Sequence, residues 1–303
     1  MIDLLVYILT IACIWGLLSL SLNLQFGVTG LLNLGHIAFF MLGAYVTTIV
    51  SHPDLLDLPI VLGIVSAMVV AGVFGALISL PTARLRTDYW AMWTLASAEV
   101  VRLIFLNQTL GSPYMGASFG IGGIPRPLRE YFTSDTYGYF YLALVIVCLV
   151  VVYLLVRRLT EMPYGRALRA IREGDEVPLA LGKDVGWLRI RAMAVGGVIA
   201  GLAGALFAHF NAFVGPDYFL PIETFLIWVM VIVGGAGNHL GALVGTVVIL
   251  AIYNSTRFLG DFVPIESSTL ASLRMIVIGA LVIAILIYMP RGLLPERRRR
   301  HDR

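Results

Sequence analysis

The chain has 303 residues, 59% of them hydrophobic and only 13% charged, with a formal net charge of +3 and a mean hydropathy of +0.90. Soluble domains carry about 25% charged residues, so the composition excludes an ordinary globular enzyme and specifies a polytopic membrane protein. The two cysteines, Cys13 and Cys148, both fall in apolar segments, which excludes a disulfide framework or a cysteine metal site.

Residues 4–24 form the first apolar segment, which lacks a basic leader and an A-x-A-like cleavage site and reads as a retained span. A break follows at 25–30, and a second apolar segment covers 31–50, interrupted by Asn33, Gly35 and His36. That interruption leaves two readings open, a full span or a re-entrant helix. Residues 59–80 and 89–110 are spans joined by a short basic connection carrying Arg84 and Arg86. The stretch 111–137 is rich in Gly and Pro and too broken to span. A span at 138–156 leads into a polar interruption, 157–191, which holds eight of the 21 basic residues. Beyond it lie apolar segments at 190–210, 222–235 (short for a crossing), 241–259 and 268–289, then the tail PRGLLPERRRRHDR.

Charge sets the orientation. With the 157–191 loop inside and the segments alternating outward, the Arg84/Arg86 connection and the tail also fall inside. Sixteen of the 21 basic residues are then cytoplasmic, with the N-terminus outside and the C-terminus inside. The reading is an all-α polytopic integral membrane protein with about 8–9 transmembrane helices. Residues 1–290 make one transmembrane domain, and 291–303 a basic tail that anchors to anionic lipid and not to nucleic acid. Within the central loop, 166–176 mixes helix formers without proline. Pro163 lies upstream, and Pro178 with Gly182 closes the segment. A short amphipathic helix at the membrane base follows, suited to docking a soluble partner. LGKDV at 181–185 lacks the first glycine and the hydroxyl residue of a phosphate-binding loop, so ATP-driven transport requires an ATPase on another chain.

Two glycine-interrupted segments occupy comparable places in the two halves, 25–45 and 231–245. Paired breaks of this kind mark a substrate path near the bilayer midplane, or else close helix packing through small residues. Both carry polar side chains. On the first reading the path residues are Asn23, Gly30, Asn33, Gly35, His36, Gly235, Gly237 and Asn238, with Glu99 and Arg102 added from the fourth span. Glu99 and Arg102 stand at i, i+3 on one helical face, able to pair as intramembrane charges must. That pair is either part of the path or a neutralised structural pair. No catalytic triad, paired-His motif or CxxC is present, and no catalytic or metal-binding residue is assigned.

Six segments together resemble the permease subunits of bacterial ABC importers for branched-chain amino acids. They are SLSLNLQFGVTGLLNLGHIAFFMLGAY (19–45), LRTDYWAMWTLASAEVVRLIF (85–105), MGASFGIGGIP (115–125), GRALRAIREGDEVPLALGKDV (165–185), MVIVGGAGNHLGALVG (230–245) and YMPRGLLP (288–295). The resemblance implies a subunit of the bacterial inner membrane that pairs with a second, similar permease. It further implies two cytoplasmic ATPases, which carry the ATP and Mg, and an extracytoplasmic substrate-binding protein. No cofactor is implied for this chain. The loop becomes a cytoplasmic coupling helix, with ATPase contact at Gly165, Arg166, Arg169, Arg172, Glu173, Glu176, Leu181 and Gly182. Urea and short-chain amide permeases share most of these motifs. A stand-alone channel or carrier would need no docking loop, and would more often show several intramembrane carboxylates.

Overall fold

The computed structural model describes residues 2–83, 87–110, 115–262 and 267–296. Arg84, Arg86, the start of the 111–137 loop and the 297–303 basic run lie outside them. Eleven α-helices are present among the described residues: α1 (Ile2–Leu22), α2 (Ile37–Ser51), α3 (Ile60–Ser79), α4 (Thr87–Asn107), α5 (Ser134–Glu161), α6 (Pro163–Glu173), α7 (Glu176–Ala180), α8 (Val185–Asn211), α9 (Pro221–Gly234), α10 (His239–Phe262) and α11 (Ser267–Tyr288).

α8 is the axis of the bundle. Its small residues let α2 and α3 approach to backbone contact: a Cβ at Gly201 would lie 2.7 Å from Ala67 O of α3, and one at Gly204 would collide with Phe40 O of α2. Packing of this kind holds membrane helices together, because lipid is as apolar as the side chains and supplies no hydrophobic drive. Around it α1 packs on α5, α8 and α10.

Among the described residues, five helices are long and apolar enough to cross a bilayer, while α9 and α10 are bent by 120° at a short break. The all-α polytopic architecture is as expected, and the segments differ from the expected series at 31–50 and 222–259. At 15 residues, or roughly 22 Å, α2 is too short for the hydrocarbon core. The segment expected at 31–50 begins as irregular chain and becomes helical only at Ile37. Its cause is local: Gly30 takes φ +80°, and Asn33 Oδ1 accepts from Gly35 N at 3.1 Å, which competes with helix. Preceding it, α1 continues into a π-helical stretch, Asn23–Val28, instead of breaking at 25.

Non-helical backbone at membrane depth must be satisfied by protein. Here Leu34 N donates to Thr94 Oγ1, Ile37 N to Thr224 Oγ1, and Trp228 Nε1 to Asn33 O, at 3.1, 3.2 and 3.0 Å.

The polar interruption is narrower than 157–191. α5 runs to Glu161 and α8 starts at Val185, because Arg157, Arg158, Arg189 and Arg191 sit on helix ends and reach outward along them. Within it the expected 166–176 helix is shifted and divided. Pro163 occupies the first turn of α6, where no N–H is needed, and Gly174 at φ +155° ends it. Pro178 does not close the segment; it sits in the first turn of α7.

At the opposite end of the bundle, β1 (Ile121–Gly122) pairs antiparallel with β2 (Phe213–Val214). His52 Nε2 binds Gly122 O at 2.9 Å, and His209 Nδ1 binds Pro125 O at 2.7 Å, so the glycine-rich loop is tied to α2 and α8.

Candidate functional site

Asn23 and Gly30 of the first broken segment and Gly235, Gly237 and Asn238 of the second converge with the central loop at one end of the bundle. α6 is amphipathic, with Gly165, Leu168 and Ile171 buried and Arg166 and Glu173 exposed. A Cβ at Gly165 would collide with Thr160 O, so the helix lies directly on the end of α5. Arg169 Nη2 donates to Thr160 O at 2.9 Å and fixes the same contact. Burial beside it pushes the Tyr164 phenol up to about 12.

Arg172 is turned inward. One Nη donates to Gly27 O at the end of the π-helical stretch, and the other to Glu296 Oε2 at 2.7 Å. Gly30, also on the broken segment, packs on the Arg172 side chain, where a Cβ would lie 3.0 Å from Cγ.

The α9–α10 turn completes the junction. Gly235 and Gly237 take φ +114° and +88°, conformations that favour glycine. Gly237 N donates to Asn23 Oδ1 at 2.8 Å, while Asn23 Nδ2 donates to His239 Nδ1 at 3.0 Å. That leaves Nε2 of His239 to donate to Thr160 Oγ1 at 2.9 Å, and Thr160 Oγ1 to donate to Val156 O. The chain after α11 crosses the turn as a strap. Leu293 N and Leu294 N donate to Val233 O and Gly234 O at 2.9 and 3.0 Å, and Asn238 Nδ2 donates to Leu294 O at 3.1 Å. A cavity of about 570 Å³ lies among these elements, lined by Phe26, Gly30, Arg172, Ala236, Arg291 and Glu296, among others.

Of the path residues, Asn23, Gly30, Gly235, Gly237 and Asn238 thus meet Arg172 in one network. Asn33, Gly35 and His36 lie deeper, in a second cluster. Gln25 Oε1 accepts from Asn33 Nδ2 at 2.9 Å and lies 3.1 Å from His36 Nδ1, and Gln25 Nε2 donates to Met193 O at 3.3 Å. Gln25, Asn33 and His36 are all 0% exposed, so the cluster packs the break shut. Glu99 and Arg102 belong to neither cluster; they form a bidentate pair on α4 at 2.6 and 2.9 Å.

Of the docking residues, Arg166, Glu173, Glu176, Leu181 and Gly182 are exposed, whereas Gly165, Arg169 and Arg172 face the bundle. α7 and the turn after it add an apolar edge: Val177, Leu179 and Leu181 are 64%, 58% and 72% exposed. Arg189 holds this piece to α8 through both oxygens of Asp175, each at 2.8 Å. Sequence reasoning missed Gln25, Thr160 and Glu296. Only Glu296 carried a signal, as a carboxylate directly after the YMPRGLLP segment.

The family model for the branched-chain amino acid transport system permease component matches residues 4–286. The chain belongs to this family. It is a multi-pass membrane permease and a transport component. The high-affinity branched-chain amino acid transport system permease protein LivM of Escherichia coli (strain K12) is 32% identical, over 96% of this chain and 70% of the relative. A probable branched-chain amino acid transport permease protein LivM of Methanocaldococcus jannaschii is 31% identical, over 98% and 94%. The LivH permease protein of Salmonella typhimurium is 22% identical, over 94% and 92%. No solved structure matches the chain.

Proposed function

We propose that this permease is the membrane subunit of an ATP-driven importer for branched-chain amino acids. It works beside a second, similar permease, two cytoplasmic ATPases that bind ATP and Mg and hydrolyse the nucleotide, and an extracytoplasmic binding protein that delivers the substrate. Likeness to both LivM and LivH proteins supports the paired arrangement. The end bearing α6 is cytoplasmic, in keeping with its basic residues, and so is the C-terminal strap that meets it. The N-terminus lies outside. This chain binds no cofactor.

One observation carries the reading: a single short helix presents a free charged face outward and, through Arg172, grips a broken transmembrane segment inward. The ATPase contacts Arg166, Glu173, Glu176, Leu181 and Gly182, together with the apolar edge of Val177 and Leu179. Gly165, Arg169 and Arg172 position the helix from beneath. Nucleotide-driven movement of α6 pulls on the Asn23–Gly30 and Gly235–Asn238 turns, and the Asn33–His36 cluster opens when that segment shifts. Such coupling needs a second arrangement of the same contacts.

The test is ATP hydrolysis by the reconstituted complex with its binding protein loaded with leucine, then with urea. Stimulation by leucine and not by urea is expected. Stimulation by urea alone would keep the machine and overturn the substrate, and a permease that co-purifies with no ATPase would overturn the whole reading.

A further inference from the structure

At the end of the bundle away from α6, a second cavity of about 370 Å³ opens between the first turns of α1 and α5 and the last turn of α8. Its walls include Asp3, Tyr7, Arg126, Tyr137, Phe210 and Asn211. Nothing in the coupling network reaches it.

The donors on its wall lack acceptors. Arg126 makes no ion pair or hydrogen bond among the described residues, and its buried Nε is unpartnered. Tyr137 is 6% exposed, and its hydroxyl is also unpartnered. Buried donors are nearly always satisfied in folded proteins, so two on one wall mark a place where an acceptor is missing. Arg129, 5.9 Å from the Tyr137 ring centroid, adds positive charge behind them. Against these stands Asp3, whose carboxylate forms no ion pair with either arginine among the described residues. A simple anion would be repelled by Asp3 and a simple cation by the arginines. A ligand carrying both charges satisfies both walls. The rings of Tyr7 and Phe210, 5.4 Å apart, supply an apolar side.

We infer that this cavity binds a zwitterionic head group, with its anionic oxygens on Arg126 and Tyr137 and its ammonium on Asp3. Two kinds of molecule join anionic oxygens to a primary ammonium that can donate to Asp3, an aminophospholipid such as phosphatidylethanolamine and a free amino acid. Position favours the lipid. The cavity sits where three membrane helices end, the level at which the head groups of a spanned bilayer lie, and exposed Leu5 and Leu9 continue along α1 as a surface for acyl chains.

Native mass spectrometry of the purified full-length permease tests this with phosphatidylethanolamine, phosphatidylglycerol, phosphatidylcholine and leucine as separate probes. One phosphatidylethanolamine is retained per chain in preference to the other two lipids. Arg126→Gln lowers that retention by roughly 10- to 100-fold, the range of a charged hydrogen bond. Arg126→Lys restores part of it. Asp3→Asn removes the preference over phosphatidylglycerol, which has no ammonium. Retention of leucine, with displacement of the lipid, supports the same site with the free amino acid as its occupant. Equal retention of phosphatidylethanolamine by wild type and Arg126→Gln, with equal thermal unfolding, overturns the proposal. If Arg126→Gln does not insert, Asp3→Asn decides, and an unchanged lipid preference refutes the site.

Discussion

Arg172 and Glu296 stand 124 positions apart in sequence, yet their side chains meet at 2.7 Å, and the same guanidinium holds Gly27 O. Both partners are partly open to solvent, at 28% and 23%, so the ion pair itself contributes no more than about 1 kcal/mol. Its importance is geometric, since it joins α6, the broken end of α1 and the C-terminal strap through one side chain. Arg172→Ala should leave the chain folded and the ATPase bound, while uptake per ATP hydrolysed falls about tenfold. Glu296→Gln keeps a neutral acceptor and should lose less. Proteoliposomes that measure leucine uptake and phosphate release together check this; an unchanged ratio in Arg172→Ala would remove Arg172 from the coupling route.

Asn23 is fully buried and serves two partners at once, accepting from Gly237 N and donating to His239. Truncation strands both. Leaving a buried donor or acceptor unpaired costs about 1–3 kcal/mol each, so Asn23→Ala should lose about 2–6 kcal/mol of stability. His239→Ala removes one of the same partners, and the double variant should therefore lose less than the sum of the two. Thermal unfolding of the four proteins in detergent reads this directly, and strict additivity would show that the two side chains do not act together.

The polar ends of this bundle were legible in the sequence because the boundary between membrane and water writes itself as composition. Arg157–Arg191 stands out by charge, and the glycines at 235 and 237 by their spacing against an apolar background. What was not legible is direction. Arg166, Arg169 and Arg172 look alike in a row, yet only the fold turns Arg169 toward Thr160 and Arg172 toward Gly27. The length of α2 was legible only in part, because Asn33, Gly35 and His36 mark the interruption but leave a full span and a re-entrant helix both open. What the sequence does not show is that Leu34 N, Asn33 O and Ile37 N find partners on Thr94, Trp228 and Thr224, far away in the chain. Hydropathy registers burial, but it does not register which backbone groups a distant side chain will satisfy.

Gly165 offers a way to test positioning apart from the proposed docking. It lies on the buried face of α6, and a methyl group there would collide with Thr160 O. Gly165→Ala must lift the helix off α5 without touching its exposed face, at about 1–3 kcal/mol of overpacking. The variant should still co-purify with the ATPase but show weakened leucine-stimulated hydrolysis. Leu181→Asp makes the opposite change, placing a charge on the exposed apolar edge, and should lose the ATPase while the chain itself stays stable. If both variants behave alike in co-purification, the two faces of this segment are not divided as the structure divides them.

Glu99 and Arg102 put the two readings of an intramembrane ion pair in direct competition. Both oxygens of Glu99 are engaged, with Arg102 Nη2 at 2.6 Å and Nε at 2.9 Å, within a 21-residue helix. Glu99→Gln leaves a guanidinium without its counter-charge, which costs about 2.5–3.5 kcal/mol on insertion scales. Membrane abundance and uptake should both fall. Adding Arg102→Gln removes the stranded charge and should restore abundance, because two amides on adjacent turns can bond to each other. Uptake by that double variant then decides. If it recovers with abundance, the pair serves the structure of α4; if it stays at the level of Glu99→Gln while abundance is normal, the charges act on what passes through the membrane.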